Sequence, residues 1–237
     1  MDVAKYFRRK GEGFKNIVDI YPEEGYVRKY FNSTFMNNCY SDFLVGALFF
    51  TTGRIPSSRK RRKHTEAKYL KTLEENGIYA PKLLKEDKDY LDIGYIEMEE
   101  LSKILRNKDV KESKKMELLK MAGEELRKIH DSGINCYDRG TQNIGCCPDG
   151  RIVFFDFESG DKRHSNADDY SNLALSTAFE ISDASLIKDA MKCIASGYGK
   201  DLTKEIKIDP HAYLAFSLEG KMDHFHEIRK ARKYGVS

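Results

Sequence analysis

The chain has 237 residues, long enough for one large domain or two small lobes with a real core. An apolar share of 40% beside 33% charged residues excludes a disordered chain. A net charge of only +3 gives no support to nucleic-acid binding on charge balance alone. Five cysteines, odd in number and without C-x-x-C spacing, argue against a disulfide framework and for a reducing, cytoplasmic setting. No basic-then-apolar leader opens the sequence. The longest apolar run, Phe43 to Phe50, is too short for a bilayer, which needs roughly 20 residues. It reads as a buried helix or strand, or as a docking surface.

The first thirty residues read as strands with a glycine turn. Gly11 and Gly13 precede a β-branched pair, and glycine N–H groups can face phosphate oxygens. A turn at Tyr21–Gly25 leads into a strand-like run, Gly25 to Phe31, that carries Lys29 on the same face as Val27. A lysine pointing inward from such a strand can contact nucleotide phosphates. Residues 32–58 are irregular and read as an insertion with one short element around Phe43–Phe50. Next comes a dense basic block, Arg59-Lys60-Arg61-Arg62-Lys63. It reads as a solvated helix entrance, or as a patch for RNA, a membrane surface or an acidic partner, and a nuclear-localisation reading is also open on composition.

The spacing then predicts a helix from Thr65 to Asn76, with Ala67, Leu70 and Leu73 as its stripe and Asn76-Gly77 as its stop. Glu66 lies near its start and would hold Lys29 if the two face each other. Two strands are expected next, near Lys82–Lys85 and from Tyr90 to Met98. Glu99-Glu100-Leu101 opens helical sequence and marks a lobe boundary, giving lobes of residues 1–100 and 101–237. The crossing segment offers backbone groups free of a sheet partner, a natural adenine site. A long helix is expected from Glu112 to His130, with Met116, Leu119, Ala122, Leu126 and Ile129 at helical spacing. Further helices are expected over Leu173–Ile181 and Ala184–Ser196, and the region Lys221–Lys233 is rich in His, Arg and Lys. His130-Asp131 reads as a histidine at a helix C-terminus rather than a metal pair.

Asp138 and Asn143 stand five residues apart. A turn at Pro148-Asp149-Gly150, an apolar strand and Asp156-Phe157-Glu158 follow. That order suits phosphoryl transfer. One carboxylate faces a substrate hydroxyl, and the Asn and second Asp offer oxygens to Mg²⁺ ions on ATP phosphates.

With these residues in hand, the sequence resembles a small protein-kinase-fold phosphotransferase over roughly Gly11 to Ile181. It is most similar to the small atypical, RIO-type kinases, and nearest to the kinase or ATPase subunit of the KEOPS tRNA-modification complex. The basic lead into Thr65-Glu66-Ala67, Thr141 in the D-x-x-x-x-N loop, and the tail Arg229 to Gly235 carry that likeness. The resemblance implies an α+β, two-lobed fold. A small antiparallel sheet with one main helix forms the N-lobe, and the C-lobe is mostly helical.

The same resemblance implies roles. Gly11 and Gly13 cover the phosphates; Lys29 contacts them and pairs with Glu66. Met98 lines the adenine pocket, with Glu99 and Leu101 backbone groups on the base. Asp138 is the catalytic carboxylate, and Asn143 and Asp156 hold Mg²⁺, with Mn²⁺ as a substitute. The activity implied is ATP-dependent transfer to a protein serine or threonine, or ATP hydrolysis. A protein or tRNA-associated partner is expected at Arg59–Lys63 and the basic tail. The chain departs from the family at Cys136-Tyr137, where His-Gly is usual. Arg139 replaces a leucine and could bind an anionic substrate group. Glu158 replaces the glycine of D-F-G, which implies a less switchable metal loop. Two other readings remain: a kinase for a sugar, aminoglycoside or lipid head group, and a silent kinase-fold binding module.

Overall fold

The computed structural model describes residues 16–31, 59–136, 139–158, 165–208 and 210–236. Strands β1 (Ile17–Tyr21) and β2 (Tyr26–Tyr30) form a hairpin. Its turn closes where the Gly25 N–H donates to the Pro22 carbonyl at 3.2 Å. Gly25 sits at φ 75°, a left-handed conformation that glycine takes without steric cost. Strands β3 (Leu83–Glu86) and β4 (Tyr90–Gly94) complete an antiparallel sheet of order β1-β2-β4-β3.

Alternation along these strands decides which side chains face inward. Opposite pairs Val27 with Ile93 and Lys29 with Leu91 share the inner face. Arg28 and Asp92 share the other and form an ion pair at 2.7 Å, with the guanidinium 4.2 Å from the Tyr90 ring centroid. Helix α1 (Arg59–Glu75) packs on β3 and β4 through Ala67, Leu70 and Leu73. It ends at Gly77, whose φ of 67° turns the chain so that the Ile78 N–H reaches the Leu73 carbonyl at 2.9 Å.

Helix α1 begins six residues before the Thr65 expected from the sequence. The cations of the basic block do not face one another unscreened. Arg59 pairs with Asp89 at 2.8 Å, Arg62 with Glu158 at 3.0 Å, and Lys63 donates to the Asp87 carbonyl. The strand expected to run to Met98 stops at Gly94, because its neighbour β2 begins at Tyr26, the residue opposite Gly94. The chain then forms β5 (Glu99–Glu100), which joins β6 (Ile144–Cys146) and β7 (Ile152–Phe154) in a second antiparallel sheet.

The rest is helical: α2 (Leu101–Arg106), α3 (Glu112–Asp131), α4 (Asn166–Glu180), α5 (Ile187–Tyr198), α6 (Pro210–Leu218) and α7 (Met222–Tyr234). Ser165 opens α4 with a capping box closed by Asp168. Helix α6 went unread in the sequence, although Pro210 at its first position is a recognised start signal. The architecture is α+β, with a small antiparallel sheet and one helix ahead of a mostly helical part. The element order is the one the resemblance implied. The insertion at 32–58, with its Phe43–Phe50 run, lies outside the described residues. No helix among the described residues is long and apolar enough to cross a membrane. Their four cysteines are free thiols.

Helices α3 and α5 meet backbone to backbone at two glycines. A Cβ on Gly123 would run into the Ile194 carbonyl, and one on Gly197 into the Lys120 carbonyl oxygen, with its carbon at 2.8 Å. Backbone cannot yield as a flexible side chain does. Gly197→Ala is therefore expected to lower unfolding free energy by about 2–3 kcal/mol, although alanine favours a helix by roughly 1 kcal/mol. Chemical denaturation measures it, and a loss below about 0.5 kcal/mol would mean that the helices separate at little cost.

Candidate active site

Strand β2 delivers Lys29 to the inner face of the first sheet, where it is 7% exposed. Its Nζ lies 2.7 Å from Glu66 Oε2 on α1, 2.7 Å from Asp156 Oδ1 and 3.3 Å from Glu158 Oε2. Glu66 is 2% exposed and sits on the buried stripe beside Ala67, so it reaches inward rather than to solvent. The pairing of Lys29 with Glu66 across the long insertion is thus present.

Asp156 follows β7 and is the only non-glycine residue at positive φ (62°) among the described residues. Such a backbone costs about 1–3 kcal/mol and persists only when neighbours hold it. They do so here. The β6–β7 hairpin, turned at Gly150 with φ 88°, sets Ile144 opposite Phe154. One step further the Phe155 N–H donates to the Asn143 carbonyl at 3.1 Å. Residues twelve apart in sequence are thereby neighbours, and buried Asn143 in the 3₁₀ turn Thr141–Asn143 lies beside the Asp156 segment. Asp138, at the head of this loop, lies outside the described residues, as do Gly11 and Gly13.

Arg139 is not placed to meet a substrate anion, as its sequence position suggested. It is fully buried, with its guanidinium 4.0 Å from the Phe157 ring centroid and its Nη1 donating to the Phe155 carbonyl at 3.2 Å. It joins the Asn143 loop to the Asp156 loop by cation–π contact and hydrogen bonding. A second clamp comes from α4. Asp169 Oδ2 accepts from the Cys136 N–H at 2.9 Å and meets His130 Nε2 at 3.1 Å, while His130 Nδ1 meets the Tyr198 hydroxyl at 2.8 Å. His130 therefore belongs to the support of the loop, and its partner is Asp169 rather than the adjacent Asp131. Neither role was read from the sequence. Two buried polar residues on periodic helices, His130 and Asp169, were the available signal.

Met98 packs its sulfur against Gly145, where a Cβ would collide with it, so β6 passes directly under this side chain. Glu99 and Glu100 pair with Cys146 and Gly145, which corrects the expectation of a crossing segment without a sheet partner. The second hairpin is close enough to take it up as an edge strand. Glu99 is exposed, and Leu101 is fully buried at the start of α2.

The electrostatics follow from burial. Burial works against the Lys29 ammonium, yet Asp156, Glu66 and Glu158 around it raise its pKa well above the ordinary lysine value. Burial pushes the Glu66 carboxyl up to about 7, against the pull of Lys29 and with help from Asp156 and Glu158. Burial acts the same way on Asp156, but Lys29, then Arg139 and Arg62, hold it below the ordinary carboxylate value. Oxygen atoms of Glu66, Asp156 and Glu158 lie within 4.8 Å of one another. With Asn143 close by, this donor set suits a hard cation, which binds oxygen ligands, and the Lys29 ammonium supplies positive charge there.

No protein-family model matches this sequence, and no curated protein matches it. Among solved structures, the chain is similar to a MAP kinase from Leishmania major. The identity is 14% and the TM-score 0.42, over 82% of this chain. The chain spans 63% of the length of that kinase.

Glu66 gives the site a pH signature. The unfolded chain loses this proton near 4.5, the folded chain near 7, so the folded state holds an extra proton between them. That contribution to stability is fully present below 4.5 and is lost as pH rises through 7. The shifts of Asp156 and Lys29 act outside this window, one below it and one above it. The thermal midpoint should fall by about 5 °C between roughly pH 5 and pH 8, and Glu66→Gln should flatten the dependence. An unchanged slope in the variant would remove Glu66 as its source.

Proposed function

We propose that the protein is an ATP-dependent phosphotransferase of the small atypical kinase type, with a protein serine or threonine as the favoured acceptor. The observation that carries this reading is the buried Lys29 ammonium, 2.7 Å from both Glu66 and Asp156. A cation held at the meeting of a sheet, a helix and an acidic loop is suited to anionic phosphates. An aspartate beside an asparagine-bearing loop is suited to the ions those phosphates carry.

In this reading Lys29 turns from Asp156 to the nucleotide phosphates while Glu66 keeps its position. Asn143 and Asp156 hold Mg²⁺, or Mn²⁺ in its place, and the metal supplies neutralisation of phosphate charge. Asp138 accepts the proton of the acceptor hydroxyl as its oxygen bonds to the γ-phosphorus and the bond to the β–γ bridging oxygen breaks. Met98 lines the adenine pocket, with Glu99 and Leu101 backbone groups on the base. Gly11 and Gly13 cover the phosphates. The two lobes divide at residues 1–100 and 101–237, with nucleotide between them. The working compartment is the cytoplasm, and a tRNA-associated partner meets the exposed part of the Arg59–Lys63 block and the basic tail.

ADP release from Mg·ATP by purified protein tests the reading. Lys29→Met, Asp138→Asn and Asp156→Asn are each expected to cut turnover by about 10²-fold or more, since charge placement carries most of this catalysis. Absence of both nucleotide binding and turnover in the wild type would overturn it. Stimulation by tRNA that weakens steeply with salt would support the tRNA-associated partner.

A further inference from the structure

We propose that Glu158 and Arg62 form a positioning pair that holds helix α1 and the Asp156 loop in one register. Lys29, Glu66 and Asp156 are then set as a unit. The proposal rests on the reading of this site as a Mg·ATP phosphotransferase and adds two residues to it.

Arg62 lies one helical turn before Glu66, so both project from one face of α1. Glu158 lies two residues after Asp156. The same two elements are therefore joined twice. One connection runs from Glu66 through Lys29 to Asp156, and the other runs directly from Arg62 Nη1 to Glu158 Oε1 at 3.0 Å. The Arg62 and Glu158 side chains are each only 15% exposed, so solvent screens the pair less than it screens a surface bridge.

Both oxygens of the Glu158 carboxylate are engaged. Oε2 accepts from the Asn16 carboxamide and lies 3.3 Å from Lys29 Nζ, and Arg62 Nη1 also donates to Asn16 Oδ1 at 3.2 Å. One carboxylate thus ties the Asp156 loop to the residue before β1, to β2 and to α1. A glycine at this position offers none of these contacts. When Lys29 turns to a phosphate, its hold on Asp156 loosens, and the Arg62 bridge remains to keep α1 and the loop together. Both residues act through Lys29, Glu66 and Asp156 rather than on the reacting atoms.

The test uses the full chain with Arg62→Gln, Glu158→Gln and the double Gln variant. Three quantities are read: kcat for ADP release, Kd for a fluorescent ATP analogue, and amide exchange in residues 59–66 and 155–158. Each single Gln variant is expected to lower kcat about tenfold with Kd changed less than about threefold, because geometry rather than nucleotide contact is lost. The double Gln variant should be within about twofold of the singles, as coupled residues are.

Singles within about twofold of wild type, or losses that multiply in the double variant, would overturn the pair. A raised Mg²⁺ requirement in Glu158→Gln alone would also overturn it, because Glu158 would then be a metal ligand. If the wild type neither binds nor turns over Mg·ATP, the phosphotransferase reading fails by itself. Amide exchange then decides the pair. Faster exchange of both segments in either single variant supports it, and acceleration confined to the mutated segment overturns it.

Discussion

One buried ammonium organises the structure. Lys29 is nearly removed from water, which opposes its charge, and it stays charged because three carboxylates converge on it. They come from α1 and from the loop after β7, while the lysine comes from β2. Glu66 lies 37 residues from Lys29, but Asp156 lies 127 away, so segments far apart in sequence must be in place together before the whole cluster is compensated. Removing one partner from such a cluster costs about 3–5 kcal/mol, mostly as the penalty of the charge left behind. Site and fold are accordingly not independent: the assembly that positions the charges is the assembly that buries the sheet against its helix.

The cluster also sorts its acids. Glu66, buried on the stripe of α1, is pushed up to about 7, whereas Asp156 is held below the ordinary carboxylate value by Lys29, Arg139 and Arg62. Two carboxylates around one lysine thus have different characters set by where they sit. Asp156 stands at the more open end of the cluster, with its side chain 35% exposed. Glu66, on α1, faces β2 and accepts from Lys29 at 2.7 Å. This division follows from burial depth and from the placement of two guanidinium groups.

Much of this was legible in the sequence because it depends on local rules. Alternation put Lys29 on the same face as Val27 without deciding that this face is buried, the helix placed Glu66 near its start, and Pro148-Asp149-Gly150 announced the hairpin that brings Asn143 to the Asp156 segment. What escaped was set by contacts between distant elements. Nothing near Arg62 in sequence indicates that Glu158 will neutralise it, so the basic block looked like five mutually repelling cations. Arg139 follows a candidate catalytic residue and so looked like a substrate contact. Its burial depends on Phe157, eighteen positions later, folding over it. The strand expected to reach Met98 failed for a similar reason, since its length is fixed by where β2 begins.

Glu158 in place of a glycine gains its meaning from the backbone beside it. Asp156 already occupies a left-handed conformation that costs about 1–3 kcal/mol, so the loop would relax unless held. It is held on one side by Arg139, through Phe157 and the Phe155 carbonyl, and on the other by Arg62 through Glu158. A glycine at position 158 would widen the conformations open to the loop, whereas a glutamate with both oxygens engaged narrows them. A loop so narrowed has its working geometry as its dominant state, and a ligand need not spend affinity on selecting it. A loop so held has little freedom to rearrange by itself.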